Sequence, residues 1–146
     1  MEIRYQIFEK QNLLIQKYVD ALCLESYKKF IAHIMKITTS IKIDKVLIDF
    51  RDLKYNEFHN RIFEDINDLT EVRRDIEENQ IKRNDILHVF WVDKPLQTVI
   101  AHLFSSNFPK LNYKYCSTVD MVISNLDLPE ELHDIKKIAD NLENTF

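Results

Sequence analysis

The sequence predicts an α/β domain: one mixed sheet with parallel central strands, crossover helices and an extra C-terminal helix. Three observations predict it. Residues 3–19 alternate polar and apolar side chains around a central break, two almost continuously apolar runs follow at 45–50 (KVLIDF) and 85–93 (DILHVFWVD), and stretches of helical period separate the strand patterns. Short apolar runs suit strands covered on both faces, and alternation of strand with helix implies parallel strands joined by crossovers. The 146 residues fit one domain, and a chain this long that is 45% hydrophobic needs neither metal nor disulfide to hold a core.

Each element follows from its own pattern. Ile3, Tyr5 and Ile7 alternate with Arg4 and Gln6, Gln11-Asn12 interrupts, and residues 13–19 resume the alternation, so the chain opens on a hairpin. From Leu24 the period lengthens. Tyr27, Phe30, Ile31, Ile34 and Ile37 share one helical face while Lys28, Lys29, His33 and Lys36 share the other, predicting a helix to about Thr38. The first buried strand, 45–50, comes after Thr39-Ser40. Phe58, Ile62, Ile66, Leu69, Val72 and Ile76 then step by three or four, predicting a long helix capped by Asn56 and ending near Asn79. The second buried strand, 85–93, leads into Lys94-Pro95, and proline in a first helical turn gives up an N–H that has no intrahelical partner there. Leu96, Val99, Ile100, Leu103 and Phe104 are expected on the inner face of that helix. Residues 107–112 read as a turn, 113–116 as a short strand, and Ser117-Thr118 as the cap of a brief helix holding Val119, Val122, Ile123 and Leu126. A last helix, 130–143 behind Pro129, carries Leu132, Ile135, Ile138 and Leu142 as one stripe. It is expected to pack on its own sheet, with pairing to a second copy in a homodimer as the alternative.

Composition excludes several chemistries. Glycine is absent, so the Walker loop, the dinucleotide fingerprint, the kinase loop and the nucleophile elbow, which use glycine for positive φ or close approach to a ligand, are excluded in standard form. Asparagine is the expected substitute where the backbone turns left-handed. Acidic residues outnumber basic ones, 24 to 20, for a net charge of -4, which leaves no basic face for nucleic acid. Lys110, Tyr113, Lys114 and Tyr115 interleave bases with aromatics, but lysine on a short edge strand also guards against edge pairing, and no nucleic-acid partner is expected. Cys23 and Cys116 lack C-x-x-C spacing and read as free thiols. No early apolar stretch resembles a signal-peptide core, and the run 89–92 falls far short of the roughly 20 residues a membrane span needs. A cytoplasmic protein is expected. Glu130 and His133 show a di-iron spacing in single copy only, and neither Ser105-Ser106 nor Cys116 has an adjacent base. No metal, cofactor or catalytic residue is therefore expected.

The opening hairpin, the strand KVLIDFRD before a long helix, the strand HVFWVDKP before a shorter one and the ending YCSTVDMVISNL together resemble the STAS fold of anti-sigma factor antagonists and the related SpoIIAA-like domains. The resemblance covers residues 3–126 and leaves the last helix outside. It implies a bacterial, non-enzymatic regulatory module acting through contacts with a protein partner. The alternative it implies is a small-ligand or lipid-binding domain of the CRAL-TRIO-like type. Phosphorylatable antagonists carry an Asp-Ser-Ser-Gly-like turn after the third strand, where this chain reads Asp52-Leu53-Lys54-Tyr55-Asn56-Glu57-Phe58. With no serine, threonine or glycine there, that phosphoswitch is not expected.

Ligands of open parallel sheets bind outside the carboxyl ends of the strands. The candidate binding residues are accordingly Asp49, Arg51 and Asp52 after the first buried strand, Asp93 and Lys94 after the second, and Ser117 and Thr118, next to Cys116, after the third. Brought to one crevice, these carboxylates and cations would hold a polar ligand. The structural alternative is that Asp93 and Ser117 cap the helices that follow while Asp49 pairs with a neighbouring cation. Asp49 with Lys94-Pro95 also resembles response-regulator receivers, but a receiver places a further strand and helix between the two.

Overall fold

The computed structural model describes residues 1–21, 23–54, 86–106 and 112–146. The long helix expected over 58–79, its cap Asn56, Asp85 and most of the turn at 107–112 lie outside them. The hairpin forms as expected: β1 (Glu2–Phe8) runs antiparallel to β2 (Leu13–Ala21) from Glu2↔Val19 to Phe8↔Leu13. Its connection is a 3₁₀ turn, Glu9–Gln11, ending on Asn12 at φ 50°. Among the described residues the left-handed positions fall to Asn12, Asp20 and Asp127. Asparagine thus takes one of them, and aspartate, whose short polar side chain also tolerates this region, takes the other two.

Helix α1 (Leu24–Ile37) closes on Thr38, whose hydroxyl donates to the Ile34 carbonyl at 2.8 Å. The two apolar runs become β3 (Lys45–Asp49) and β5 (Leu87–Trp91), with the short β4 (Leu53–Lys54) between them in sequence. Then come α2 (Pro95–Ser106), β6 (Asn112–Cys116), α3 (Val119–Leu126), a 3₁₀ turn at Glu130–Leu132, α4 (Ile135–Asp140) and β7 (Asn144–Thr145). The main sheet has the order β6-β5-β3-β2-β1-β7, and β4 pairs with the end of β2. β2, β3, β5 and β6 are mutually parallel, while β1 is antiparallel to both β2 and β7.

Two layers of helix cover the sheet. Because strand side chains alternate between faces, Leu14 and Tyr18 of β2, Val46 of β3 and Phe90 of β5 point one way, onto Phe30 and Ile34 of α1 and Ile100, Ala101 and Phe104 of α2. Leu13, Ile15, Leu47, Val89, Trp91 and Cys116 point the other way, onto Val122 and Leu126 of α3 and Ile135 and Ala139 of α4. The first layer is aromatic: Tyr18 meets Phe30 and Phe50 edge-on at 6.2 and 5.2 Å. Lys45 of β3 ties the second layer down by donating to the Leu126 carbonyl at 2.6 Å, a cation at the C-terminus of α3.

The structure corrects three expectations. The last segment is not one helix over 130–143: a 3₁₀ turn precedes the six-residue α4, and the chain then returns as β7 to pair with β1. Its stripe still packs on the chain's own sheet, with Leu132, Ile135, Ala139 and Leu142 buried. The inner face of α2 is Gln97, Ile100, Ala101, Phe104 and Ser105, so Leu96 and Val99 point outward. Periodicity could not separate them, because apolar residues occupy both faces of this helix. Finally, of the Ser117-Thr118 pair expected at the start of α3, Thr118 is the cap, its hydroxyl accepting from the Met121 amide at 3.3 Å, so the alternative that gave this role to Ser117 is the part corrected.

His88, on the aromatic face beside Tyr113, is pushed down by burial to about 4, against the opposing pull of hydrogen bonds to backbone. Between that value and the ordinary 6.5 the unfolded chain binds a proton that the folded chain does not, so stability falls as pH drops through this window. The expected loss from His88 is roughly 2–3 kcal/mol. Urea unfolding at pH 7 and pH 4.5 should show it, and His88→Phe should lose less stability over the same interval; an equal loss in the variant would assign the dependence elsewhere.

Candidate functional site

The strand register builds a polar row into an otherwise apolar layer. Lys17 pairs with Asp49, and Asp49 with Trp91, so these three side chains stand side by side across β2, β3 and β5 under α4. Lys17 is 4% exposed and Asp49 fully buried. Just past β3 the chain turns back, and Arg51 binds Asp49 through three donors: its backbone amide at 3.0 Å, Nε at 2.9 Å and Nη2 at 2.6 Å. Its guanidinium lies 3.7 Å above the centre of the Trp91 ring. Lys17 Nζ sits 2.7 Å from Asp52, 2.5 Å from Asp140 and 4.0 Å from Asp49. Asp140, at the end of α4, also meets Arg51 at 3.2 Å and Lys136 at 3.1 Å.

Burial and pairing pull these groups in opposite directions. Burial raises the Asp49 carboxyl above its usual range, only partly answered by Arg51 and Lys17. For Lys17 burial works downward, but hydrogen bonds to Asp140 and Asp52 and the charge of Asp49 outweigh it and hold the ammonium above its ordinary value. The bond from Lys17 holds Asp52 low. Burial would raise Asp140, but Lys17 and Lys136 bring it below the usual range. Lys17 is therefore a protonated donor near neutral pH rather than a base, and each charged group here is bonded to another.

The other predicted residues stand outside this cluster. Asp93 and Lys94 are exposed, and their backbone amides donate to Gln97 Oε1 at 3.0 and 3.2 Å. Gln97, 2% exposed, donates through Nε2 to the Arg51 carbonyl at 2.8 Å. Its amide thus ties the loop after β3 to the loop after β5. Ser117 and Thr118 belong to the N-terminus of α3, where the cap bond accounts for Thr118. Sequence reasoning missed Lys17, Trp91, Gln97 and Asp140. Lys17 left a signal, since it falls in phase with Leu13 and Ile15 on the buried side of β2; Asp140 lies off the apolar stripe and left none. Among the described residues no group of three or more His, Cys, Asp or Glu is arranged to hold a metal ion, and no helix is long and apolar enough to cross a membrane.

A parallel-centred sheet opened by a hairpin, with helices on both faces, matches a known architecture. The solved structure of an uncharacterised DUF3478-family protein with a SpoIIAA-like fold, from Shewanella loihica PV-4, is similar at a TM-score of 0.51 and 18% identity, covering 85% of this chain and 93% of that one. The chain has a SpoIIAA-like, STAS-like α/β fold. No protein-family model matches it, and no curated protein matches it.

Proposed function

We propose that the protein is a non-enzymatic interaction module that docks a protein partner on the outward face of α2. The composition of that helix carries the reading. In a chain that is 30% charged, residues 95–106 (PLQTVIAHLFSS) contain no Asp, Glu, Lys or Arg. Leu96 and Val99 nevertheless stand 46% and 47% exposed, flanked by exposed Thr98 and His102. A merely solvated helix face carries charge, whereas the centres of protein interfaces are depleted of it. Asp93 and Lys94, exposed at the start of the helix, supply a polar rim of both signs, and Gln97 fixes that rim against the loop held by Asp49 and Arg51. The matching partner surface is apolar and uncharged.

The test is affinity capture from the native host at endogenous level, with wild type and the Leu96→Lys/Val99→Lys double variant in parallel. Both positions are exposed, so folding stability should change by about 0.5 kcal/mol or less per site. A protein retained by the wild type and lost by the variant is expected; identical retention would sink the reading. One observation favours a small-ligand or lipid-binding domain instead: among the described residues the Tyr113 hydroxyl is buried without a hydrogen-bond partner. A small molecule that elutes with the purified, denatured protein would support that alternative.

A further inference from the structure

Asp140 stands where three cations meet. Its Oδ1 lies 2.5 Å from Lys17 Nζ and 3.2 Å from Arg51 Nη2, and its Oδ2 lies 3.1 Å from Lys136 Nζ. The Lys17 and Arg51 side chains are 5% and 10% exposed, whereas that of Asp140 keeps 33%. The two buried cations therefore come from β2 and the turn after β3, whereas Asp140 and its third cation, Lys136, reach them on α4, more than eighty residues further along the chain. Both buried cations are fixed without Asp140: Arg51 by Asp49 and the Trp91 ring, Lys17 by Asp52. Asp140 supplies the third anion of the cluster: Lys17, Arg51 and Lys136 are matched by Asp49, Asp52 and Asp140, and without the last the cluster keeps one positive charge in excess, at its exposed edge where Lys136 lies.

We propose that Lys17, Arg51 and Lys136 form an oxyanion subsite at the strand ends, which the chain closes on itself with the Asp140 carboxylate. The ligand class is a small carboxylate or phosphate, seated where the two Asp140 oxygens lie. The location is the one where open α/β sheets receive ligands. Ile135, Ala139 and Leu142 are buried and hold the segment in the core, whereas the Asp140 side chain keeps a third of its surface exposed, so emptying the cradle requires only that this one side chain turn outward. The proposal goes beyond the docking face on α2 and does not depend on it.

Chemical rescue tests it. Asp140→Ala removes the carboxylate and leaves room for an external one, while Asp140→Asn removes the charge and fills the space. Thermal unfolding is followed against sodium acetate, sodium phosphate and, at matched ionic strength, sodium chloride. Acetate is expected to raise the midpoint of Asp140→Ala saturably, by roughly 3 °C or more over chloride, and to leave Asp140→Asn and wild type unmoved. Phosphate acting alike assigns the site to oxyanions in general; acetate acting alone assigns it to carboxylates. If Asp140→Ala does not fold in chloride, recovery of the fold in acetate or phosphate supports the proposal and failure in all three salts overturns it. A response no larger than that to chloride, or an equal response in Asp140→Asn, also overturns it.

Discussion

Arg51→Ala should destabilise the protein by roughly 3–5 kcal/mol, the cost of leaving a buried charge without its partner. Asp49 has no exposed surface, and Arg51 supplies both of its short side-chain donors, at 2.6 and 2.9 Å. The cation that would remain, Lys17, is 4.0 Å away and already engaged with Asp52 and Asp140. The variant also loses the guanidinium stacked on Trp91. Arg51→Lys should recover little, because an ammonium neither forks onto a carboxylate nor lies flat on a ring. Lys94→Ala, at an exposed position, should stay within about 0.5 kcal/mol of wild type. Urea unfolding of the two variants separates a structural cluster from a solvated one. The Asp49→Asn/Arg51→Ala double variant should be much less costly than the sum of its parts, since removing both charges leaves neither stranded. A loss below about 1 kcal/mol for Arg51→Ala would show that water or another cation takes over Asp49.

This cluster marks where sequence reading stops. Asp49, Arg51 and Asp52 were legible as strand-end residues because the apolar run before them is short and unambiguous. Their partners were not, since pairing Lys17 with Asp49 requires the β2–β3 register, and bringing Asp140 to Lys17 requires the path of a segment whose periodicity says only that one face is apolar. α2 shows the same limit: its apolar residues fit two faces, and only the tertiary structure turns Ile100 and Phe104 inward and Leu96 and Val99 outward. The fold itself was more legible, because strand and helix periods differ and their order already implied parallel central strands. β4 and β7 escaped, each being two residues long and too short to show a period.

Ending the chain after Pro129 should abolish cooperative unfolding. The segment removed contributes Leu132, Ile135, Ala139 and Leu142, all buried against Leu13, Ile15, Leu47, Val89 and Trp91 of the sheet. At about 1.5–3 kcal/mol for each large apolar side chain, their loss rivals the 5–15 kcal/mol that stabilises a typical domain. The same cut removes Asp140 from the buried cations and uncovers the edge of β1, which β7 now pairs through Arg4↔Thr145 and Tyr5↔Asn144. Exposed apolar face and unpaired edge together favour aggregation. Because a chain that fails to fold yields little information, Ile135→Ala serves as the graded version: the side chain is fully buried, and its loss should cost roughly 2–5 kcal/mol with the transition still cooperative. Light scattering of the truncated chain decides between the two places the stripe can be used. Aggregation or a broad, non-cooperative melt places it in the chain's own core, whereas a dimer that becomes a stable, cooperatively folded monomer would make the segment an interface between copies and would refute its role in closing the sheet.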